Sequence, residues 1–197
     1  MKVLIACEFS GTVRDAFAAR GHDAWSCDLL PSEKPGQHIQ CDHDLHLLDI
    51  IDQGWDLLIF HYPCTYLANS GVRWLYGGKG AALDPERFNL MLRDALYFKT
   101  LLECPVNRIC GENPIQHGHA QRIIRARPTQ IIQPWQFGHG ETKATCLWLK
   151  NLPPLSPTHI VSERKPRVHF ASPGPDRWKE RSRTLPGIAK AMADQWS

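Results

Sequence analysis

An α/β fold with a mostly parallel sheet and an antiparallel pair at its edge is what this sequence predicts, on three observations. The chain opens as strand, glycine turn, helix and strand within residues 2–27. Its run Leu57-Leu58-Ile59-Phe60 is apolar throughout, as a parallel strand covered on both faces must be. Residues 130–137 and 145–149 are β-rich pieces close enough in sequence to pair with each other.

Each element follows in order. Residues 2–7 read as a strand and Ser10-Gly11 as a turn. Residues 12–20 read as a helix with Val13, Ala16 and Phe17 as its apolar positions, stopped by Gly21. A second strand, 23–27, ends in Asp28. In a Rossmann-like βαβ opening, an acid at that place is set to take ribose hydroxyls. Residues 36–44 are loop-like and 45–51 a short helix. The strand 57–61 stops at Pro63 and delivers Cys64 to its carboxyl end, where open α/β sheets bind ligands. Residues 65–84 form a long loop, and loops of that length inside a compact domain are usually functional or disordered. Asp84-Pro85 then reads as an N-cap followed by proline at the first helical position, opening a helix to about residue 102. A strand over 108–110 ends in Gly111-Glu112-Asn113-Pro114, and a short helical run covers 120–127. After the β-rich pair, Pro153, Pro154 and Pro157 open a basic segment, and residues 186–196 close the chain as a helix.

Length and composition bound the rest. At 197 residues, with 43% hydrophobic and 22% charged, the chain predicts one globular domain over 1–197, with 151–183 as a short basic insert. The apolar stretch from Val3 is broken at once by Glu8, too short for a signal or a membrane span, so the expectation is a cytoplasmic protein without membrane contact. Seven cysteines without a framework spacing predict reduced thiols, and the absence of any Cys-x-x-Cys predicts no metal site. The net charge of +3 is unevenly placed: Arg164, Lys165, Arg167, Arg177, Lys179, Arg181 and Arg183 crowd one stretch, with Phe170 and Trp178 between them. Such a stretch suits phosphates and bases, although a solvated face has the same composition.

A thiol and a carboxyl group, Cys64 and Glu112, could thus meet above one sheet edge, which makes a nucleophile paired with an acid the central expectation. The first turn, Glu8-Phe9-Ser10-Gly11, lacks the full G-x-G-x-x-G fingerprint, and no G-x-x-x-x-G-K-[ST] occurs. A cofactor without phosphates, wanting close backbone approach at Gly11 and a carboxylate at Asp28, fits better. S-adenosylmethionine is such a cofactor.

At this point the residues resemble the cytosine-5 DNA methyltransferases, specifically the small phage-type members. Phe9-Ser10-Gly11 is similar to their first cofactor motif, Asp28 to the ribose ligand, Asp42 to the carboxylate that meets the adenine, and Tyr62-Pro63-Cys64 to the Pro-Cys nucleophile motif. Glu112-Asn113 resembles the Glu-Asn acid motif, Arg125-Ala126-Arg127 part of an arginine element, and residues 186–193 the closing helix. The motifs follow the family's order across nearly the whole chain. Val13 stands where a glycine is usual, Thr65 for a glutamine, Pro114 for a valine and Ile123 for a glutamine. No large target-recognition domain lies between Arg127 and the closing helix, so short or relaxed sequence specificity, or a partner that supplies recognition, is expected.

The resemblance implies an S-adenosylmethionine-dependent methyltransferase fold and a monomer that transfers a methyl group to carbon 5 of cytosine in DNA, releasing S-adenosylhomocysteine. Glu8, Phe9, Ser10, Gly11, Asp28, Leu29, Asp42 and Pro63 would meet the cofactor. Cys64 would add to carbon 6 of a flipped-out or single-stranded cytosine and Glu112 would act at N3, with Arg125 or Arg127 as the positive charge. Thr65, Arg73, Trp74, Lys79, Arg177, Lys179 and Arg181 would grip the DNA. Two other readings stay open. One is a pyrimidine-modifying enzyme that uses a modified sulfonium donor or a free nucleotide; the other is a non-catalytic DNA-binding remnant, which would not need Cys64 and Glu112.

Overall fold

The computed structural model of the chain describes residues 1–42, 44–76, 81–168, 170, 172 and 174–197. Its seven strands are β1 (Lys2–Ala6), β2 (Asp23–Asp28), β3 (His38–Gln40), β4 (Leu57–Phe60), β5 (Arg108–Pro114), β6 (Gln130–Ile132) and β7 (Thr145–Lys150). They form one sheet in the order β3-β2-β1-β4-β5-β7-β6. Neighbours from β3 through β5 are parallel, and β7 runs antiparallel to both β5 and β6. This is a Rossmann-like α/β sheet with an antiparallel edge. The strand order reverses between β1 and β4, the place where such sheets leave a crevice at their carboxyl ends.

Six helices complete the fold: α1 (Thr12–Ala18), α2 (Asp44–Ile51), α3 (Pro85–Glu103), α4 (Gly118–Ile124), α5 (Arg177–Ser182) and α6 (Pro186–Trp196). Successive strand residues point to opposite faces, so the two faces collect different partners. Val3, Ile5, Leu57 and Ile59 pack with Val13 and Phe17 of α1 and Ile188, Met192 and Trp196 of α6. Leu4, Leu58 and Phe60 pack with Ile50 of α2, Met91 and Phe98 of α3 and Ile124 of α4. Phe60, Phe98 and Trp148 meet edge to face, with centroids 5.2 and 5.1 Å apart. Burial of each such ring contributes about 1.5–3 kcal/mol. Gly111 is required here, because a Cβ at that position would lie 2.6 Å from Phe60 Cζ.

Helix α3 begins as its sequence predicts: the Asp84 side chain accepts from Arg87 N at 3.1 Å, and Pro85 takes the first turn. Elsewhere the elements differ from expectation. Residues 38–40, expected in a loop, form edge strand β3, whose His38 ring bonds Ser26 Oγ at 2.9 Å and Leu30 O at 3.0 Å. The strand expected over 108–110 runs on to Pro114, because Gly111, Glu112 and Asn113 pair with Trp148, Leu147 and Cys146 of β7. Within the long loop, Asn69–Leu75 forms a 3-10 helix. The helix expected over 120–127 ends at Ile124, with Arg125 turned into the left-handed region at φ 56°. Strand β6 stops at Ile132, since Pro134 opens a 3-10 turn. The basic segment holds α5, whose residues are mostly charged and display no apolar stripe.

Candidate active site

The parallel register pairs Phe60 with Gly111. One residue further along each strand, His61 Nδ1 stands 2.9 Å from Glu112 Oε2. The chain then turns through Tyr62, buried and stacked on Tyr97 with centroids 5.2 Å apart. Pro63 is exposed and Cys64 half-buried at the rim. Cys64 O accepts from Leu67 N at 3.0 Å and Ala68 N at 2.9 Å, closing a tight turn. This turn is laced to the segment after β5. Asn69 N donates to Ile115 O, His117 N to Leu67 O, His117 Nε2 lies 2.8 Å from Tyr66 O, and Asn113 Nδ2 donates to Tyr62 O at 2.8 Å. The thiol and the acid are therefore held on one framework.

Charge couples them. Burial pushes the Cys64 thiol up, and the negative charge of Glu112 pushes it further, while Lys143 and Arg181 pull it down without cancelling the rise. At Glu112, burial favours the neutral acid, but the His61 hydrogen bond and the charges of His61 and Lys143 together outweigh it, so the carboxyl lies below its ordinary value. Lys143 Nζ donates to Arg181 O at 2.9 Å, which ties the start of β7 to α5. Arg125 and Arg127 stand exposed at the end of α4 and beyond it. The structure brings Lys143 and Arg181, rather than those two, within electrostatic reach of the thiol.

The first turn is built differently. Glu8 is buried, and its carboxylate accepts from Val13 N at 2.7 Å, Arg14 N at 3.3 Å and Ser10 Oγ at 3.2 Å. The side chains of Glu8 and Ser10 thus hold the turn, whose Phe9 and Gly11 carbonyls accept from Glu33 N and Asp15 N. Gly11 adopts φ 66°, and a Cβ there would lie 2.4 Å from Arg14 Nη2. Arg14, also buried, donates to Ser26 Oγ, Ser32 Oγ and Pro35 O and so fastens the loop after β2 beside the turn. Asp28 accepts from Leu30 N at 2.9 Å through Oδ1, and its burial pushes the carboxyl up. Leu29 is 55% exposed. Asp42 is exposed and pairs with His46 Nδ1 at 2.9 Å.

Residues expected to meet nucleic acid fall in two places. Thr65 and Trp74 are exposed beside the thiol's turn and on the following 3-10 helix, with the Arg73 guanidinium 4.6 Å from the Trp74 ring. Lys79 lies outside the described residues. Arg177, Lys179 and Arg181 belong to α5, whose Trp178 ring meets Phe9 with centroids 6.1 Å apart. Just after α5, Arg183 lies over Phe9 and pairs with Glu33 through two hydrogen bonds, at 2.6 and 2.9 Å.

Sequence reasoning missed His61, Lys143 and Arg14. His61 is legible in retrospect from strand register, and Arg14 from its place among the apolar positions of α1. Lys143 lies in a loop and carries no local signal. Among the described residues no group of three or more His, Cys, Asp or Glu is placed to hold a metal ion, and no helix is long and apolar enough to cross a membrane.

No protein-family model matches the sequence, and no curated protein matches it. Among solved structures the chain is similar to a candidate DNA modification methyltransferase encoded within an E. coli prophage, at 14% identity and a TM-score of 0.48 over 81% of this chain. The match takes in 51% of that protein, so the chain spans about half its length. The architecture given above rests on the sheet order itself.

Proposed function

We propose that the chain is an S-adenosylmethionine-dependent DNA methyltransferase acting at carbon 5 of cytosine, with short or relaxed sequence demands. The observation that carries this reading is the pairing of a rim thiol, Cys64, with a half-buried acid, Glu112, on adjacent parallel strands and the turn that follows one of them, close enough for the charge of one to shift the other. Carbon 5 of cytosine is a poor nucleophile until a group adds at carbon 6. Cys64 makes that bond, and Glu112, held below its ordinary value in the free site, takes a proton from water as the base enters and passes it to N3, so that no charge accumulates on the ring. Lys143 and Arg181 favour the thiolate that must attack. Both reacting groups must touch one base, which requires a cytosine outside the duplex stack.

The rim fits the cofactor. Asp28 is half-buried at the end of β2 with Oδ1 accepting from Leu30 N, placed to meet a ribose hydroxyl, and Leu29 offers an exposed apolar side chain beside it. Asp42 and Pro63 complete this set at the ends of β3 and β4. When bound, S-adenosylmethionine supplies an electrophilic methyl group. Arg73, Trp74 and the basic face of α5 are left for the DNA strand, and Arg125 and Arg127 for its phosphates.

The test is incubation with DNA and labelled S-adenosylmethionine, followed by digestion to nucleosides. Label in 5-methylcytosine is expected. Label in another base, or none in DNA with an altered nucleotide pool, overturns the reading. DNA carrying 5-fluorocytosine should trap the protein covalently through Cys64, and the Cys64→Ala variant should form no such complex.

A further inference from the structure

Helix α5 carries no buried side chain, so the core does not hold it. Contacts at its flanks fasten it instead. Near its start the Trp178 ring meets Phe9 of the first turn. Just past its end, Arg183 donates to Glu33 Oε2 through Nε at 2.9 Å and to Oε1 through Nη2 at 2.6 Å, and its guanidinium lies 5.9 Å from the Phe9 ring. The two partners of this pair differ in support. Glu33 N donates to Phe9 O at 2.8 Å, and the residues around Glu33 are gripped by the buried Arg14, whose Nη1 donates to Ser32 Oγ at 3.0 Å and whose Nη2 donates to Pro35 O at 2.9 Å. Glu33 is thus a fixed post. Arg183 follows a helix without core contact, and segments with little buried apolar contact open most readily. Two parallel hydrogen bonds between a guanidinium and a carboxylate fix direction as well as distance. Lys34 and Lys179 near Glu33, and Asp176 and Glu180 near Arg183, each favour the charged form of their neighbour.

The same helix carries a cation to the thiol. The Arg181 charge acts on Cys64 together with that of Lys143 and against that of Glu112, and Lys143 Nζ donates to Arg181 O at 2.9 Å. Arg181 Nε is buried without a hydrogen-bond partner among the described residues. The helix therefore sets where this cation stands. We infer that Glu33 and Arg183 are positioning residues, a clasp that holds α5 on the first turn and thereby holds Arg181 where its charge reaches Cys64. When the clasp parts, α5 leaves the first turn and the thiol loses the Arg181 charge. The turn where the cofactor is proposed to sit and the thiol across the rim then report on each other through one short helix. The clasp itself belongs to the free protein; its service to methyl transfer rests on the function proposed above.

The inference is tested by alkylating the ligand-free protein with iodoacetamide at a fixed pH near neutrality and following the Cys64 peptide by mass spectrometry. Arg181→Gln should slow alkylation of Cys64 about threefold in the wild-type background, since the thiolate is the form that reacts. In a Glu33→Gln background, and equally in Arg183→Gln, the same change should have no effect, because Arg181 has already withdrawn. Comparison within each background removes any change in access to the thiol that opening of α5 brings. Tryptic cleavage after Lys179 should quicken several-fold in both clasp variants. The same slowing by Arg181→Gln in every background, no slowing in the wild-type background, or unchanged cleavage overturns the inference. Loss of the Arg181 dependence in a protein that never methylates cytosine leaves the clasp standing and removes the proposed function, whereas cytosine methylation with equal slowing in every background does the reverse.

Discussion

Glu8 and Glu112 are two acids at the carboxyl rim of one sheet, and they are spent in opposite ways. Glu8 gives its oxygens to two backbone N–H groups of α1 and to Ser10, all within six residues of itself. Glu112 gives one oxygen to a side chain on the neighbouring strand and keeps the other open. A carboxylate held on both oxygens by its own turn is structural, whereas one fixed on a single side is ready to work on something else. The difference teaches that position at a strand end does not make a residue a ligand; the state of its remaining hydrogen-bond capacity does.

Substitution separates the two acids most sharply in turnover. Glu112→Gln is expected to lower methyl transfer by about a thousandfold, within the range ascribed to a positioned general acid, while leaving the fold and cofactor binding intact. Equal loss of cofactor binding in an equilibrium assay would show the carboxylate to be structural after all. Glu8→Ala is expected to act on stability instead, costing about 1–3 kcal/mol because two buried N–H groups of the first turn lose their acceptor. Its thermal midpoint should fall, and its turnover at low temperature should follow the folded fraction.

A smaller effect reads the field between the pair without any catalysis. Since the Glu112 charge holds the Cys64 thiol up, Glu112→Gln should speed alkylation of Cys64 several-fold at a fixed pH near neutrality, and Lys143→Ala should slow it. Alkylation rates unmoved by either change would place the groups out of reach of each other. The smallest expected effect lies in the pH dependence of stability. Glu112 is held below its ordinary value, so its contribution to stability is complete above about pH 4.3 and disappears as the pH falls through the lowered value. The stability gap between wild type and Glu112→Gln should therefore narrow in acid, and a gap that widens there would reverse the assignment.

Much of the frame was legible because local pattern and tertiary role agree. The run Leu57-Leu58-Ile59-Phe60 is apolar at every position and is buried at every position. Asp84-Pro85 carries its cap in its own sequence. Strand β3 was not legible, since His38-Ile39-Gln40 is too short a run to signal a strand by itself and is held by pairing with β2. The continuation of β5 through Gly111 to Pro114 runs against local propensity and is imposed by β7, some 35 residues away in the chain. The same division holds at the rim. Cys64 and Glu112 follow from strand ends, which sequence reveals. The cations beside them do not: Lys143 and Arg181 arrive from distant segments, whereas Arg125 and Arg127 were drawn from the family resemblance. Glu8 and Ser10 were read as ligand contacts because the turn's position was clear and the direction of its side chains was not.

The two sides of α5 have a consequence for anyone trimming this chain. Trp178, with Arg183 just beyond the helix, rests on Phe9 of the first turn, while the Arg181 charge acts on the thiol and its carbonyl takes the Lys143 ammonium. Excising the basic stretch is thus no neutral way of asking what it recognises. A single cut would bare an aromatic ring at one end of the crevice and strip a cation from the other.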